Sequence, residues 1–413
     1  MRKIFLLLTL ALLLTFGMIA ASAQDDDNPL LRMLARIPDT PAARTWLTYA
    51  DYQALISARP GAPSIGSWDE FVRLNDQRTD ESGFFISALM SIQSGPQFYT
   101  TNFMQGSEMA DVVGFDLFEI ERAAEYGEPP AQVTLLEGDF NAEAVRSAHE
   151  ARDYTQTQMG DLSLLCPATG CDNGNQYEIA NRILSNPFGG ELGRSQPVLV
   201  GDQLIASSPD DQALNGVALA IAGDQNTLAD DADYRAAVEA ISANGTVLQA
   251  YFINPADVAS LSAGIIPRLT QEQIDALREE LEGDFAPLPQ YNLLALADTV
   301  IGDEQQALVA LVFSNSAAAE AAAALFPERL NHYISLAVNQ PFEDILAGRG
   351  VTSVDTSIDE SSSGRTTLLI RLHSPLPDTT IPEDDRIPSI SLPYSLLVRA
   401  LLQRDLGWLA TEF

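Results

Sequence analysis

Along most of the chain, segments whose apolar residues follow a strand pattern alternate with segments whose apolar residues follow a helical pattern. Val133–Glu137 and Val247–Ile253 are short apolar runs of the kind that form strands. Ala142–Ala151 and Tyr234–Ile241 instead carry apolar residues at helical spacing. Asn141 stands where the first of these two helices needs an N-cap. The chain is therefore predicted to mix strands and helices throughout.

Glycine and aspartate mark the predicted hairpins. Val198–Ala206 is an apolar run interrupted by Gly201-Asp202, and Gly302-Asp303 separates two further apolar runs in the same way. Tyr154–Leu165 is predicted as a single returning strand. The remaining predicted elements are two helices interrupted at Pro327 and two closing strands: Ala317–Leu325, Leu330–Leu346, Val351–Ile358 and Thr366–Leu372.

This order of elements predicts an α+β fold of two modules. Each module is expected to be a mainly antiparallel sheet with helices packed on one face, and a ferredoxin-like split β-α-β arrangement fits a hairpin joined to crossover helices. The first module, with a helical connector at its end, is expected to cover 67–285, and the second 286–373. Both follow the order hairpin, helix, strand, which suggests a diverged duplication.

The segments outside the modules are predicted to be helical. Residues 24–66 are interpreted as an N-terminal helical arm, in which Pro41–Ala58 forms one helix with Pro41 in its first turn. Residues 374–413 combine a proline-rich strap with an amphipathic helix over Tyr394–Leu409.

Two interpretations of the C-terminal helix stay open. We prefer a helix that docks on the modules and caps their core, because amphipathic helices usually bury their apolar stripe. The alternative is a helix that binds a protein partner or a second copy of the chain, with anchors Leu397, Leu401, Trp408 and Phe413.

The N-terminus has the three parts of a secretory signal peptide. Arg2 and Lys3 are basic, Ile4–Leu14 is almost continuously apolar, and Ala21-Ser22-Ala23 supplies the small residues of a cleavage site. The apolar core is shorter than the roughly 20 residues that span a bilayer. We expect cleavage near Ala23, residues 1–23 to be removed, no transmembrane anchor to remain, and the protein to be secreted or held in the periplasm or at the cell surface.

Cysteine usage agrees with export. Cys166 and Cys171 are the only two cysteines, and they bracket a short turn-forming loop. In an oxidising compartment this pattern favours a disulfide. Half of a metal site and a redox-active pair are the alternatives, but zinc needs four ligands and redox pairs usually have two intervening residues.

Charge excludes several function classes. The chain has 23 basic and 57 acidic residues; loss of Arg2 and Lys3 leaves 21 against 57, a formal charge of −36. Nucleic acid and anionic lipid should both repel it. Lys3 is the only lysine, so the mature chain has no Walker A lysine, no lysine Schiff base and no Ser-x-x-Lys acylation machinery.

No catalytic motif is found, and one weak calcium candidate is. The three histidines, His149, His332 and His373, lack metal-binding spacing and are interpreted as surface or helix-end residues. Calcium is the only cofactor for which the chain offers a candidate loop. This loop is rich in oxygen ligands but departs from the EF-hand pattern. Its candidate ligands are Asp224, Asn226, Asp230, Asp231 and Asp233.

Short turn and cap motifs carry a resemblance to a known group of proteins. Gly114-Phe115-Asp116, Gly127-Glu128-Pro129-Pro130, Leu136–Phe140 and Tyr154 resemble uncharacterised exported bacterial proteins of the kind found in Chloroflexi. Leu228–Tyr234 is similar to an element of duplicated bacterial envelope proteins. The resemblance implies an architecture and a compartment, but no activity.

These observations favour a non-enzymatic extracytoplasmic binding or cell-envelope protein. The alternative is a secreted hydrolase that uses a carboxylate pair as acid and base. The two differ in whether one cleft holds two facing carboxylates.

Overall fold

A computed structural model describes residues 28–77, 80–96, 106–257, 286–335, 337–377 and 389–411. The predicted signal peptide, the predicted helical connector at the end of the first module, most of the predicted proline-rich strap and Phe413 lie outside these ranges.

The twelve helices of the described residues are numbered in chain order. They are α1 Pro29–Leu34, α2 Pro41–Thr45, α3 Tyr52–Ala58, α4 Trp68–Asp76, α5 Asp80–Met90, α6 Gly106–Val113, α7 Ala142–Glu150, α8 Asp211–Ala222, α9 Ala232–Ser242, α10 Ser316–His332, α11 Phe342–Gly348 and α12 Leu392–Leu402.

The strands are numbered in the same way. They are β1 Trp46–Asp51, β2 Ile120–Tyr126, β3 Val133–Gly138, β4 Tyr154–Met159, β5 Leu162–Pro167, β6 Val198–Gly201, β7 Leu204–Ser207, β8 Thr246–Ile253, β9 Leu293–Ile301, β10 Glu304–Phe313, β11 Ile334–Ser335, β12 Gln340–Pro341, β13 Ser353–Glu360 and β14 Thr366–Pro375.

Twelve of the described strands form one continuous sheet. Their order is β13-β14-β10-β9-β8-β1-β2-β3-β7-β6-β5-β4. Every neighbouring pair is antiparallel. The prediction of an α+β fold with a mainly antiparallel sheet is confirmed, although one sheet replaces the two expected sheets.

The sheet has two halves with the same order of elements. In the first half β1 is followed by the hairpin β2–β3, the helix α7 and further strands that end with β7 beside β3. In the second half β8 is followed by the hairpin β9–β10, the helix α10 and strands that end with β14 beside β10. The halves meet where β1 pairs with β8, and we call this pairing the seam.

The boundary between the two halves differs from the module boundary that the sequence predicted. The expected division at residue 285 falls between β8 and β9, which pair with each other in the second half. The division between the halves instead lies after β7, which ends at Ser207. The error arises because β8 and β9 are neighbours in space but are separated by a long segment in the chain.

The predicted N-terminal helix over Pro41–Ala58 is wrong in its middle. Trp46–Asp51 forms β1 at the centre of the sheet, and helices precede and follow it. Leu47, Tyr49 and Ala50 are all buried. A strand that is buried on both faces has a continuous apolar run, which local periodicity does not distinguish from a helix.

Helices cover both faces of the sheet, and not one face as the sequence predicted. One core contains Leu47 and Tyr49 of β1 together with apolar residues of α1, α8 and α9. On the other face, a second core under α3–α7 contains Ala50, and a third core lies under α10–α12. Ala50, Gln249, Asp298 and Ala307 are directly paired from strand to strand, so the second and third cores share a face.

Two helix boundaries differ from the prediction at specific residues. α10 runs through Pro327, because Phe326 and Leu330 on either side of it pack in the third core. The C-terminal helix ends at Leu402 and is followed by a short 3-10 turn at Gly407–Leu409. Across the described ranges, no helix combines the length and apolarity that a membrane span requires.

Candidate functional site

A cavity of about 430 Å³ lies at one end of the seam. It is formed by the first turn of α1, the end of β1 and the turn that leads from α9 into β8. The residues that line it are Asn28, Pro29, Leu30, Tyr49, Asp51, Ser242, Gly245, Thr246 and Val247. Its volume falls in the usual range for small-molecule sites, which often lie between domains. We call it the seam cavity.

Local sequence signals place each wall of the cavity. Asn28 is the N-cap of α1, and its Nδ2 donates to Ser242 Oγ at 2.9 Å. Asp51 ends β1 and caps α3, since its Oδ1 accepts from the backbone N of Ala54 at 2.8 Å. Gly245 has a φ of +119°, and a Cβ there would lie 2.4 Å from the backbone oxygen of Val300. This tight turn therefore requires glycine.

A row of charged side chains extends from the cavity across three strands. Asp51 of β1, Arg122 of β2 and Glu137 of β3 are directly paired, so they lie on the same face. Arg122 Nε donates to Asp51 Oδ2 at 2.8 Å, and Arg122 Nη1 lies 3.6 Å from Glu137 Oε1. The side chains of Arg122, Asp51 and Glu137 retain only 16%, 7% and 9% of their exposure.

Helix α1 and the turn that follows it add two more cations to this row. Arg32 Nε donates to Glu137 Oε1 at 3.0 Å, and Arg36 Nη1 lies 3.7 Å from Glu137 Oε2. Burial lowers the pKa of Arg36, and the nearby Glu137 opposes this effect. The row therefore connects β1, whose Asp51 lines the cavity, to α1, whose first turn also lines it.

Burial also shifts the pKa of the two ionisable groups in the cavity wall. The pKa of Asp51 is raised by burial, although Arg122 opposes the shift. The pKa of Tyr49 is raised well above its usual value by burial and by the adjacent Asp51. Perturbed groups that converge on a cavity are typical of binding and catalytic sites.

The opposite face of the seam carries a closed polar network. Asp298 of β9 is fully buried and accepts hydrogen bonds from Gln305 Nε2 at 2.8 Å, from Gln249 Nε2 at 3.3 Å and from Ser391 Oγ. Gln249 Oε1 also accepts from the backbone N of Ser94 at 3.1 Å. Burial raises the pKa of Asp298 to about 6, against the three hydrogen bonds.

The predicted disulfide is confirmed. Cys166 at the end of β5 and Cys171 are bonded to each other. The bridge lies near one edge of the sheet, far along the strand order from the seam cavity. It therefore supports the loop that follows β5 and takes no part in the cavity.

The calcium candidates are engaged in other ways. Asp231 Oδ1 caps α9 and its Oδ2 accepts from Arg44 Nη2 at 2.5 Å, while Asp230 Oδ2 accepts from the backbone N of Thr227 at 2.9 Å.

Asp233 Oδ1 accepts from Arg365 Nε at 2.6 Å, whereas Asp224 and Asn226 lie in the turn before this region. Within the parts of the chain that the structure describes, no three His, Cys, Asp or Glu side chains are grouped as a metal site would need. The geometry therefore gives the calcium hypothesis no support.

The C-terminal helix caps the third core. Leu397, Leu401 and Trp408 are buried there, with 0%, 7% and 2% exposure. Trp408 packs against Phe326 and Phe342. These three residues are thus core residues and not exposed anchors for a partner, while Phe413 lies outside the described residues.

The three histidines have different surroundings. His149 is a buried helix-end residue whose Nδ1 lies 2.8 Å from the carbonyl oxygen of Val145, and burial lowers its pKa to about 4. His332 is at the end of α10. His373 lies on β14 between Glu304 and Asp355 and contacts both carboxylates. This polar cluster was not predicted from the sequence.

Sequence reasoning missed the residues of the seam cavity. Asp51 was placed inside a predicted helix, and Arg122 and Glu137 were not singled out. Alternating charge at the ends of three separate strands was the available signal. It becomes informative only when the strand order is known.

Comparisons with known proteins identify no family. No protein-family model matches the sequence, and no curated protein matches it. Two solved structures resemble the fold loosely. Crystal form I of TP0453 has a TM-score of 0.36 with 8% identity over 89% of this chain and 97% of that one. Crystal form III has a TM-score of 0.29 with 8% identity over 83% and 94%. At these scores the likeness supports no conclusion about function.

Proposed function

We propose that the protein is an exported binding protein that holds a small molecule in the seam cavity. The proposal rests on one observation: buried ionisable groups line a cavity of about 430 Å³ at the junction of the two halves. The signal-peptide pattern and the disulfide support a location outside the cytoplasm.

The lining indicates the chemical class of ligand. Pro29, Leu30 and Val247 provide apolar surface, and the remaining side chains provide hydroxyl, amide and carboxylate groups. Asp51 is the one charged side chain among the described lining residues. Because the whole chain also has a formal charge of −34, anions should be disfavoured. The proposed ligand is a neutral or cationic molecule with hydrogen-bond donors.

Binding is a better account of this cavity than acid-base hydrolysis. Hydrolysis by a carboxylate pair needs two facing carboxyl groups, roughly 5 to 10 Å apart, with space between them for the substrate. Asp51 is the only carboxylate in the described lining, and Arg122 lies between it and Glu137. The proposal therefore assigns the charged row to positioning of Asp51.

A thermal-shift screen tests the proposal. The mature chain is melted with separate panels of cationic, neutral and anionic metabolites. A ligand present at a hundredfold excess over its Kd should stabilise the chain by about 2.7 kcal/mol. We expect stabilisation by members of the cationic or neutral panels only.

Two matched variants show whether the cavity is responsible. Thr246→Trp fills the cavity from an exposed position at the start of β8, and Thr356→Trp makes the same change on the exposed part of β13. Thr246→Trp should remove the stabilisation, whereas Thr356→Trp should retain it. Equal stabilisation of both variants, or stabilisation by anions alone, would overturn the proposal.

A further inference from the structure

A second group of polar and aromatic side chains lies at the seam, on the opposite face of the sheet from the seam cavity. Tyr251 of β8 and Glu125 of β2 are each paired directly with Thr48 of β1, so the three residues lie side by side. Thr134 of β3 continues this row, because it is paired with Glu125. Thr48 is two residues from Ala50, so the row shares a face with the second core.

Trp46 adds an aromatic ring beside this row. It lies two residues before Thr48 on β1, so both side chains point to the same face. The ring centroids of Trp46 and Tyr251 are 6.3 Å apart, and the ring planes are inclined by 36°. Both side chains are only half-buried. The two rings therefore form one aromatic surface that a solute can reach.

Glu125 is the carboxylate beside this aromatic surface. Its Oε1 accepts hydrogen bonds from Gln132 Nε2 at 2.8 Å and from Thr134 Oγ1 at 3.5 Å. Burial raises the pKa of Glu125. Burial and the nearby Glu125 together raise the pKa of Tyr251, so the carboxylate lies close enough to the phenol to influence it.

Glu125 has no cationic partner among the described residues. Other carboxylates that are buried on the sheet are better matched: Asp51 and Glu137 are paired with arginines, and Asp298 accepts three hydrogen bonds. Glu125 has two neutral donors, and both contact the same oxygen. A carboxylate that has lost part of its hydration without gaining a counter-charge is stabilised when a cation approaches it.

We propose that Trp46, Tyr251 and Glu125 form a binding site for a small quaternary ammonium cation. Aromatic faces attract such a cation through their negative electrostatic potential, and they suit an ammonium that has no N–H groups to satisfy. Glu125 supplies the opposite charge beside the rings. The formal charge of −34 also favours cations over anions near the surface of the chain.

This site is distinct from the seam cavity in position and in ligand. The two lie on opposite faces of β1, and the ligand proposed for the seam cavity carries hydrogen-bond donors. A quaternary nitrogen has none. Loss of one site should therefore leave the other intact.

Calorimetric titration with choline tests the proposal. We expect choline to bind, and its neutral analogue, in which a carbon atom replaces the charged nitrogen, to bind roughly tenfold more weakly. The two molecules have the same shape and the same hydroxyl group, so the difference measures the effect of the charge. Thr246→Trp, which fills the seam cavity, should bind choline as well as the parent chain does.

Matched variants locate the site. Glu125→Gln removes the charge but keeps the size of the side chain, and should weaken choline binding roughly tenfold. Glu320→Gln makes the same change in net charge at an exposed position of α10 and should leave the affinity unchanged. Tyr251→Leu removes one ring and should also weaken binding, whereas Tyr251→Phe keeps the ring and should retain it.

A thermal melt of each variant confirms that it is folded, and Glu125→Gln keeps the test valid if Tyr251→Leu is not. The proposal fails if choline does not bind, if the neutral analogue binds equally well, or if Glu320→Gln weakens binding as much as Glu125→Gln. Binding of neutral sugars in place of choline would also overturn it. Loss of choline binding in Thr246→Trp would assign the cation to the seam cavity and overturn this proposal alone.

Discussion

The two faces of the seam each surround a buried aspartate, but with different kinds of partner. On one face Asp51 is paired with Arg122 beside an open cavity. On the other face Asp298 is fully buried and is surrounded by amide and hydroxyl donors. The first arrangement uses fixed charges and leaves room for a ligand. The second uses neutral dipoles and is closed.

This difference separates a binding role from a packing role. Asp298 joins β9 to Gln305, Gln249 and the start of α12 within the second half. Gln249 extends this network to the first half, because its Oε1 accepts from the backbone N of Ser94. Asp51 anchors a row of charges that ends in the wall of a cavity. We therefore expect changes on the closed face to alter stability and pH dependence, and changes on the open face to alter binding as well.

The largest expected effect comes from breaking the ion pair on the open face. Arg122→Ala leaves the carboxylate of Asp51 buried without its cation. Removal of one partner from a buried pair costs about 3 to 5 kcal/mol. Chemical denaturation should show a loss of this size.

An exposed pair provides the control for Arg122. Arg73 lies 3.8 Å from Glu70 on the surface of α4, and both side chains are well exposed. Arg73→Ala should cost less than about 1 kcal/mol. A similar small loss for Arg122→Ala would mean that the charged row does not hold Asp51.

The next effect is a pH dependence that the closed face should impose. The pKa of Asp298 is about 6 in the folded protein against 3.8 as its ordinary value. Its folded pKa is raised, so its contribution to stability is complete below about pH 4 and is lost as the pH rises through 6. A shift of this size corresponds to roughly 3 kcal/mol.

Asp298→Asn should remove that dependence. Free energies of unfolding measured between pH 4.5 and 7.5 should fall by roughly 2 kcal/mol in the parent through this group, and the asparagine variant should lack this decline. Parallel curves for the two proteins would show that Asp298 stays ionised throughout, and the contrast between the faces would fail.

A third buried charge sharpens the comparison with a smaller effect. Arg59 is 1% exposed, and its guanidinium nitrogens have no hydrogen-bond partner in the described structure. It stacks on Phe84 at 4.9 Å, and burial lowers its pKa. Arg59→Met keeps the packing and removes the charge, so we expect stabilisation of about 1 to 2 kcal/mol.

Thermal and denaturant melts of Arg59→Met, beside the Arg73→Ala control, measure this effect. Destabilisation by more than about 1 kcal/mol would mean that the stacking on Phe84 outweighs the cost of burying the charge.

Local signals explain which parts of the fold the sequence predicted. The hairpins at Gly201-Asp202 and Gly302-Asp303 were predicted because the turn residues that form them are adjacent in the chain. The helix capped by Asn141 was predicted for the same reason. β1 was missed because the strand that pairs with it, β8, lies about 200 residues away, and α8 and α9, which cover one of its faces, are also remote in the chain.

The candidate site could not be predicted, since it depends on the strand order. Asp51, Arg122 and Glu137 become neighbours only through two antiparallel registers. The opposite result holds for the calcium candidates, which are close in sequence and invited a shared role. Their carboxylates instead cap helices or pair with Arg44 and Arg365.

Hydrogen exchange in the presence of a ligand from the screen shows whether the seam cavity is the binding site. We predict slower exchange in Asn28–Leu30 and Ser242–Val247, which contribute to the lining of the seam cavity, with no change at Ser94 and Asp298 on the closed face. Protection confined to the closed face or to residues outside the cavity would contradict the assignment of binding to the open face.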